Sequence, residues 1–290
     1  MNPSKTAAAN EPLIRNISDT ARWIAACRAQ ETERPEALFR DPLARRLAGE
    51  RGEAIARQMA GPGGDWSQPL RTVLFDRAIL AAIQAGADTV LNLAAGFDTR
   101  PYRMPLAKPL HWVEVDLPEL LAEKEEALRG EEPACRLERV RLDLGDAAGR
   151  RALFARVGAS ARNALIISEG LLVYLAPADV VSLARDLASV PSFQTWVLDM
   201  MSPGLMKMLM KSWSGRFEGS GSRLQFAPAE GPEFFEPLGW KPADVRGLLK
   251  AAGRAGRLPF FLKLVSLLPE STGKQGERPW GGVCVFRRAA

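Results

Sequence analysis

The stretch Val90-Leu91-Asn92-Leu93-Ala94-Ala95-Gly96-Phe97-Asp98-Thr99-Arg100 runs an apolar, strand-like segment straight into a turn of small residues. Small side chains let a backbone come close to a ligand. A helix after such a turn aims its free N–H groups at that ligand. The turn is not a dinucleotide fingerprint, which needs three glycines where only Gly96 is present. It is not a phosphate-binding P-loop either, because no Gly-Lys-Ser/Thr follows. A nucleoside without phosphates fits better.

Three acidic sites lie downstream in order. Glu114 and Asp116 close the segment His111-Trp112-Val113-Glu114-Val115-Asp116. A carboxylate at the tip of a second strand can accept both ribose hydroxyls. Positions 114 and 116 share a strand face, so one can bind while the other supports it or caps the next helix. Asp143-Leu144 pairs a carboxylate, able to accept from an exocyclic amine, with an apolar cover for a flat ring. Glu169 follows the all-apolar Ala164-Leu165-Ile166-Ile167-Ser168, where a carboxylate is costly unless paired or bound.

These residues need a frame. Short apolar runs alternate with segments of helical period, which specifies a parallel sheet wound by helices. Strands are predicted at 89–93, 111–116, 137–142, 164–168, 195–198 and 240–245. A last strand at 282–286 is a candidate for antiparallel pairing. Before the sheet the text is helical: a helix at 20–30, one N-capped by Asp41 with Pro42 first, and one from about Pro69. Gly61, Pro62, Gly63 and Gly64 separate the last two. Pro118 and Pro177 open later helices, Gly130 closes the first of these, and a short helix is expected at 232–237.

Composition narrows the class. The chain has 290 residues, 47% apolar and 25% charged, with a formal net charge of +5. No basic run carries interleaved aromatics, which argues against nucleic-acid binding. No unbroken apolar run is long enough for a membrane span. Three scattered cysteines, Cys27, Cys135 and Cys284, show no metal spacing and point to a reducing cytoplasm.

Taken in this order, the signals resemble a class I methyltransferase. The flanking text resembles the leucine carboxyl methyltransferase family. It does so at Thr20-Ala21-Arg22, Leu38-Phe39-Arg40-Asp41-Pro42-Leu43-Ala44, Arg71-Thr72-Val73-Leu74-Phe75-Asp76, the turn at 92–100, Val115-Asp116-Leu117-Pro118 and Glu169-Gly170-Leu171-Leu172-Val173-Tyr174. The resemblance covers residues 17–200 and fades afterwards. It implies an α/β, doubly wound, mostly parallel seven-stranded Rossmann-like sheet with an N-terminal helical cap and a lid insertion. The expected layout is a tail at 1–16 and a single methyltransferase domain at 17–290. That domain divides into a cap at 17–85, a cofactor-binding core at 86–200, a lid at 201–230 and a sheet-completing part at 231–290.

The implied cofactor is S-adenosyl-L-methionine, released as S-adenosyl-L-homocysteine, with no metal. By the resemblance, Arg71 would grip the methionine carboxylate, faced also by Ala94, Ala95 and Gly96. Asp116 with Leu117 would hold the ribose, and Asp143 with Leu144 the adenine. Glu169 and Gly170 would face the amino group, with Asp98 nearby. Arg22 matches a basic position near the site. One departure stands out: the family's Gly-x-Gly turn here begins with Ala94, which requires a negative φ there.

The acceptor is read from the general bases. The single histidine, His111, opens strand two at the end away from the site, and Tyr102 and Tyr174 are the two tyrosines. A hydroxyl acceptor needs a base, whereas a carboxylate is already ionised. Methyl ester formation on a small acid, such as a polyketide acid of secondary metabolism, is therefore expected, with Glu169 and Tyr174 nearest the chemistry. Glu169 or Asp98 could still serve as a base. Met201, Met206 and Trp213 are the candidate acceptor contacts in a Met-rich lid. Methylation of a protein C-terminus and nucleoside binding without turnover stay open as alternatives.

Overall fold

The computed structural model describes residues 13–60, 65–212, 223–269 and 276–289. The expected break at Gly61, Pro62, Gly63 and Gly64 and the residue Trp213 lie outside them. Seven strands form one sheet: β1 Thr89–Leu93, β2 His111–Asp116, β3 Arg136–Arg141, β4 Ala164–Ser168, β5 Phe193–Met201, β6 Trp240–Gly247 and β7 Gly281–Arg288. Their order is β3-β2-β1-β4-β5-β7-β6. β7 runs antiparallel to both its neighbours, and the other pairings are parallel. The order reverses between β1 and β4, and open α/β sheets bind ligands at the carboxyl ends beside such a reversal.

β1 and β4 are buried at every position, because helices cover both faces of the sheet. Alternation divides their side chains. Val90, Leu165, Ile167 and Val197 pack under Leu74, Phe75 and Ile79 of α3 Ser67–Gln84. Leu91, Leu93, Ile166 and Leu198 face α6 Ala147–Ser160 and α7 Pro177–Ala188, through Phe154, Val157, Leu183 and Leu187. This packing fixes α3 so that its first turn reaches the carboxyl edge of the sheet.

The other helices are α1 Ile17–Thr32, α2 Ala44–Met59, α4 Arg100–Arg103, α5 Pro118–Ala127, α8 Pro203–Ser212, α9 Leu248–Arg254 and α10 Phe260–Ser266. Residues 13–16 are not frayed, since Ile14 is fully buried and the Asn16 side chain caps α1. The predicted cap at Asp41 is corrected. α2 starts at Ala44 with Leu43 at its N-cap. Asp41 is instead buried, where its carboxylate accepts from Arg28 Nε at 2.8 Å and Thr99 Oγ1 at 2.6 Å. Its other oxygen still accepts the Leu43 N–H at 3.3 Å, just ahead of the helix.

The expected lid is partly a regular helix, α8. After the undescribed stretch the chain returns over the segment following β4. Gln225 and Phe226 donate backbone N–H groups to the Val173 carbonyl at 2.8 and 3.2 Å.

Candidate functional site at the carboxyl edge

The turn after β1 lies beside the tip of β2. Leu93, the last residue of β1, is in register with Val115, so Asp116 projects one residue past it. There its carboxylate accepts from the Gly96 N–H at 2.6 Å and the Leu117 N–H at 2.8 Å. Burial pushes the Asp116 carboxyl above its ordinary value, against the pull of these two amides and of Lys124. Such a carboxylate gains from further donors.

Ala94 overturns the expectation of a negative φ. It sits at φ +52°, the sole non-glycine at positive φ among the described residues. Gly96 follows at φ +48°. A left-handed alanine is disfavoured, and such positions concentrate at functional sites. α1 covers this turn. A Cβ on Gly96 would lie 3.7 Å from the Ala21 methyl.

Asp98, at the end of the turn, accepts from Asn92 Nδ2 at 2.9 Å and Arg100 NH1 at 2.8 Å. Burial alone would raise its pKa. The charges of Arg100 and Lys124 outweigh that and hold it far below the usual carboxylate range. That makes Asp98 a poor proton acceptor.

The densest charge lies at the ends of β4 and β5. Arg71 donates through Nε to Glu169 Oε1 at 3.1 Å and through NH1 to Asp199 Oδ2 at 3.3 Å. Glu169 also meets Arg100 NH1 at 2.8 Å. Asp199 accepts the Gly170 N–H at 2.6 Å. Gly170 has φ +66°, and a Cβ there would come within 3.4 Å of Arg71 NH1. A glycine thus opens the space beside the guanidinium. Arg100 is tied down in turn by Asp76 at 2.7 Å.

Beyond Asp199 opens a crevice lined by Val173, Met200, Met201, Phe226 and Pro228. Asp199 is its one charged lining residue. Burial raises the Asp199 pKa, opposed by the Arg71 charge and the Gly170 amide. Burial likewise raises the Tyr174 phenol, which stays protonated.

Most expected site residues converge here: Arg71, Ala94, Ala95, Gly96, Asp98, Asp116, Leu117, Glu169, Gly170 and Tyr174. Asp143 is exposed past β3 and accepts the Gly145 N–H at 2.8 Å. Leu144 packs partly buried against the core. Arg22 lies beside the turn after β1, paired with Glu123 at 2.9 Å and over the Phe97 ring, outside the charge cluster. Met206 lies on α8, half-buried. Glu114 is no ribose ligand, since it is fully buried between Lys124 at 2.7 Å and Arg139 at 3.0 Å. His111 pairs with Glu138 at the amino end of β2, away from the cluster.

Sequence reasoning missed Asp199, Arg100 and Asp76. Asp199 carried the signal used for Glu169, a carboxylate directly after an apolar strand run, and that signal went unread. Arg100 and Asp76 stand in segments that carry the family resemblance, but nothing local pairs them with each other.

The profile of the leucine carboxyl methyltransferase family matches residues 21–188. A protein of Mycobacterium sp. (strain KMS), described as an S-adenosyl-L-methionine-dependent methyltransferase, is 30% identical over 91% of this chain and 97% of its own. The chain belongs to the leucine carboxyl methyltransferase family. Membership makes it an S-adenosylmethionine-dependent methyltransferase. A like-named protein of Mycobacteroides abscessus is 36% identical, over 60% of this chain and 62% of that protein. Another, from Streptomyces avermitilis, is 32% identical over 93% and 95%. The crystal structure of a protein described as a methyltransferase from Thermobifida fusca YX superposes with a TM-score of 0.58. It covers 96% of each chain at 18% identity, a likeness of fold. The edge described above fits the family cofactor. Carboxylates beside an arginine suit a zwitterionic amino acid, and Asp116 suits a diol.

Proposed function

We propose that the protein methylates an oxygen of a small acid, with a carboxylate as acceptor and a methyl ester as product. The carrying observation is Arg71 held between Glu169 and Asp199, with Asp199 lining a small apolar crevice. Two of the guanidinium's three nitrogens serve these acids, and the third can take the cofactor's α-carboxylate as a charge-assisted bond. Glu169 would hold the ammonium and Asp116 the ribose diol. Asp143 and Leu144 would meet the adenine edge and face.

The bound cofactor supplies an electrophilic methyl on a sulfonium, so the protein's task is alignment. Positioning of this kind is worth about 7–11 kcal/mol when the acceptor is in line. Val173, Met200, Met201, Phe226 and Pro228 give an apolar wall that the acceptor would meet. With His111 at the far end and Asp98 strongly acidic, a pre-ionised acceptor suits the site. Acids such as those of polyketide metabolism have this character.

One observation favours a second reading. Asp199 faces the crevice with a raised pKa, so it could take the proton of a hydroxyl acceptor and yield an ether. Both readings are tested by transferring radiolabelled methyl to a panel of acids and alcohols, then treating products with mild base. An ester releases labelled methanol. Base-stable label that also depends on Asp199 would replace the ester reading with the ether. Label on C-terminal peptides rather than small acids would move the acceptor to protein, and cofactor binding without transfer to any acceptor would leave a nucleoside-binding protein.

A further inference from the structure

α10 and the residues after it expose apolar surface that the proposed chemistry does not use. Phe260, Phe261, Leu264, Leu267 and Leu268 are each at least 63% exposed, within nine residues. Scattered single apolar residues are ordinary on a surface, but a contiguous group marks a contact. The opposite side of this knob is anchored. Leu262 joins Leu38, Trp66, Leu70 and Leu258 in a separate cluster, and Leu70 adjoins Arg71 of the site. The knob is therefore held on the first turn of α3.

The charge along its own segment is positive, and the exposed Glu36 stands beside Arg257. Between Gly247 and Pro269 the sequence carries Lys250, Arg254, Arg257 and Lys263 and no carboxylate. Arg257 is turned inward to Glu31 at 2.8 Å, while Arg254 and Lys263 are exposed. A second copy docking face to face would bring these cations together. An anionic bilayer would meet them with opposite charge and take up the phenyl and leucyl groups. Bulky apolar side chains with lysine and arginine beside them are the composition of interfacial anchors.

We infer that the α10 face docks the protein on the surface of an anionic membrane, with the knob in the acyl boundary and the cations at the headgroups. This inference does not depend on which acceptor is methylated. It also sets the helix that carries Arg71 next to the bilayer, a short path for an acid that partitions into lipid.

The test is co-sedimentation with phosphatidylcholine vesicles, with and without phosphatidylglycerol. The protein should sediment with the phosphatidylglycerol vesicles and lose binding as salt rises. Phe260→Ser with Leu267→Ser, and separately Arg254→Ala with Lys263→Ala, should each weaken binding at least about tenfold. Binding of S-adenosylhomocysteine should be unchanged in both, since these side chains are exposed. Failure of the unaltered protein to sediment would overturn the inference, as would full binding by the serine variant. A dimer that falls apart on Phe260→Ser would overturn it too, placing a second copy on this face.

Discussion

Two glutamates at the carboxyl side of this sheet are each gripped by two cations, yet they sit in opposite circumstances. Glu114 of β2 is sealed between Lys124 and Arg139, its side chain and that of Lys124 fully buried. Glu169, just past β4, is held by Arg71 and Arg100 and keeps 15% of its side chain exposed, beside a glycine-made gap. Register explains the split. Glu114 lies opposite Asn92, still inside the sheet, under α5 with its Lys124. Glu169 lies beyond the last residue of β4, where the sheet stops and ligands enter. Glu114, inside its strand, is closed off by its neighbours, whereas Glu169, one residue past the end, remains available.

Removing one partner from each pair should separate the two roles. Lys124→Met leaves Glu114 buried with Arg139 alone, and breaking a buried pair costs about 3–5 kcal/mol. We expect a loss of that order in denaturant unfolding. Burial already raises the Glu114 pKa against the pull of Lys124 and Arg139. Without Lys124 it rises further, so the deficit should shrink as pH falls and the carboxyl takes a proton. Adding Glu114→Gln should recover most of the loss. If Lys124→Met leaves stability intact, Glu114 is not the structural member of the comparison.

Arg71→Met should behave the other way. Glu169 keeps Arg100, and the cluster reaches the crevice, so the fold should lose less than in Lys124→Met. Binding of S-adenosylhomocysteine by calorimetry should fall by about 1.5–3 kcal/mol, the value of hydrogen bonds to charged groups. Arg71→Lys should restore little of it, because an ammonium lacks the planar fork. Wild-type affinity in Arg71→Met would remove the guanidinium from the cofactor site.

The same contrast shows what could be read in the sequence. The parallel strands and the strand-tip acids were legible because a buried strand is a short apolar run, and its end is visible as the first charge or turn. Asp116 and Glu169 were found that way. Asp199, also the first charge after an apolar run, was overlooked, and in the structure Asp199 to Met201 continue β5 against β7. Glu114 could not be told from Asp116, because face alternation is identical for both and the deciding partners, Lys124 and Arg139, come from other elements. Asp41 reads as a helix cap from its neighbour Pro42, and only the fold brings Arg28 and Thr99 to it. Long-range pairing of charges has no period in the chain.

Asp116 offers a milder perturbation, expected from removing one acceptor pair. Asp116→Ala should weaken S-adenosylhomocysteine binding by about 1–3 kcal/mol. pH sharpens this. The folded Asp116 carboxyl titrates above the ordinary aspartate value of 3.8. Binding that needs its ionised form should fail as pH drops through that raised value. Asp76 and Asp98 have lowered pKa values, with burial outweighed by Arg100 and Arg103 and, for Asp98, by Lys124 as well. Their contribution to stability is fully present above 3.8 and is lost only below it. On acidification, cofactor binding should therefore disappear before the fold does. Simultaneous loss of both would show that Asp116 is not what limits binding.

The smallest effect belongs to Ala94. At φ +52°, its methyl crowds its own backbone, a conformation that glycine adopts without penalty. Ala94→Gly removes that strain but adds freedom to the unfolded chain, which offsets part of the gain. We expect a net stabilisation of about 0.5–1 kcal/mol in thermal or chemical unfolding. The turn's shape is already imposed by Asp116, which receives the Gly96 N–H, and by the Ala95 N–H to Val115 carbonyl bond at 3.1 Å. Cofactor affinity should accordingly stay within a factor of about three, less than the effect of any one hydrogen bond. A destabilised glycine variant would mean that the alanine methyl makes contacts worth more than the strain it bears.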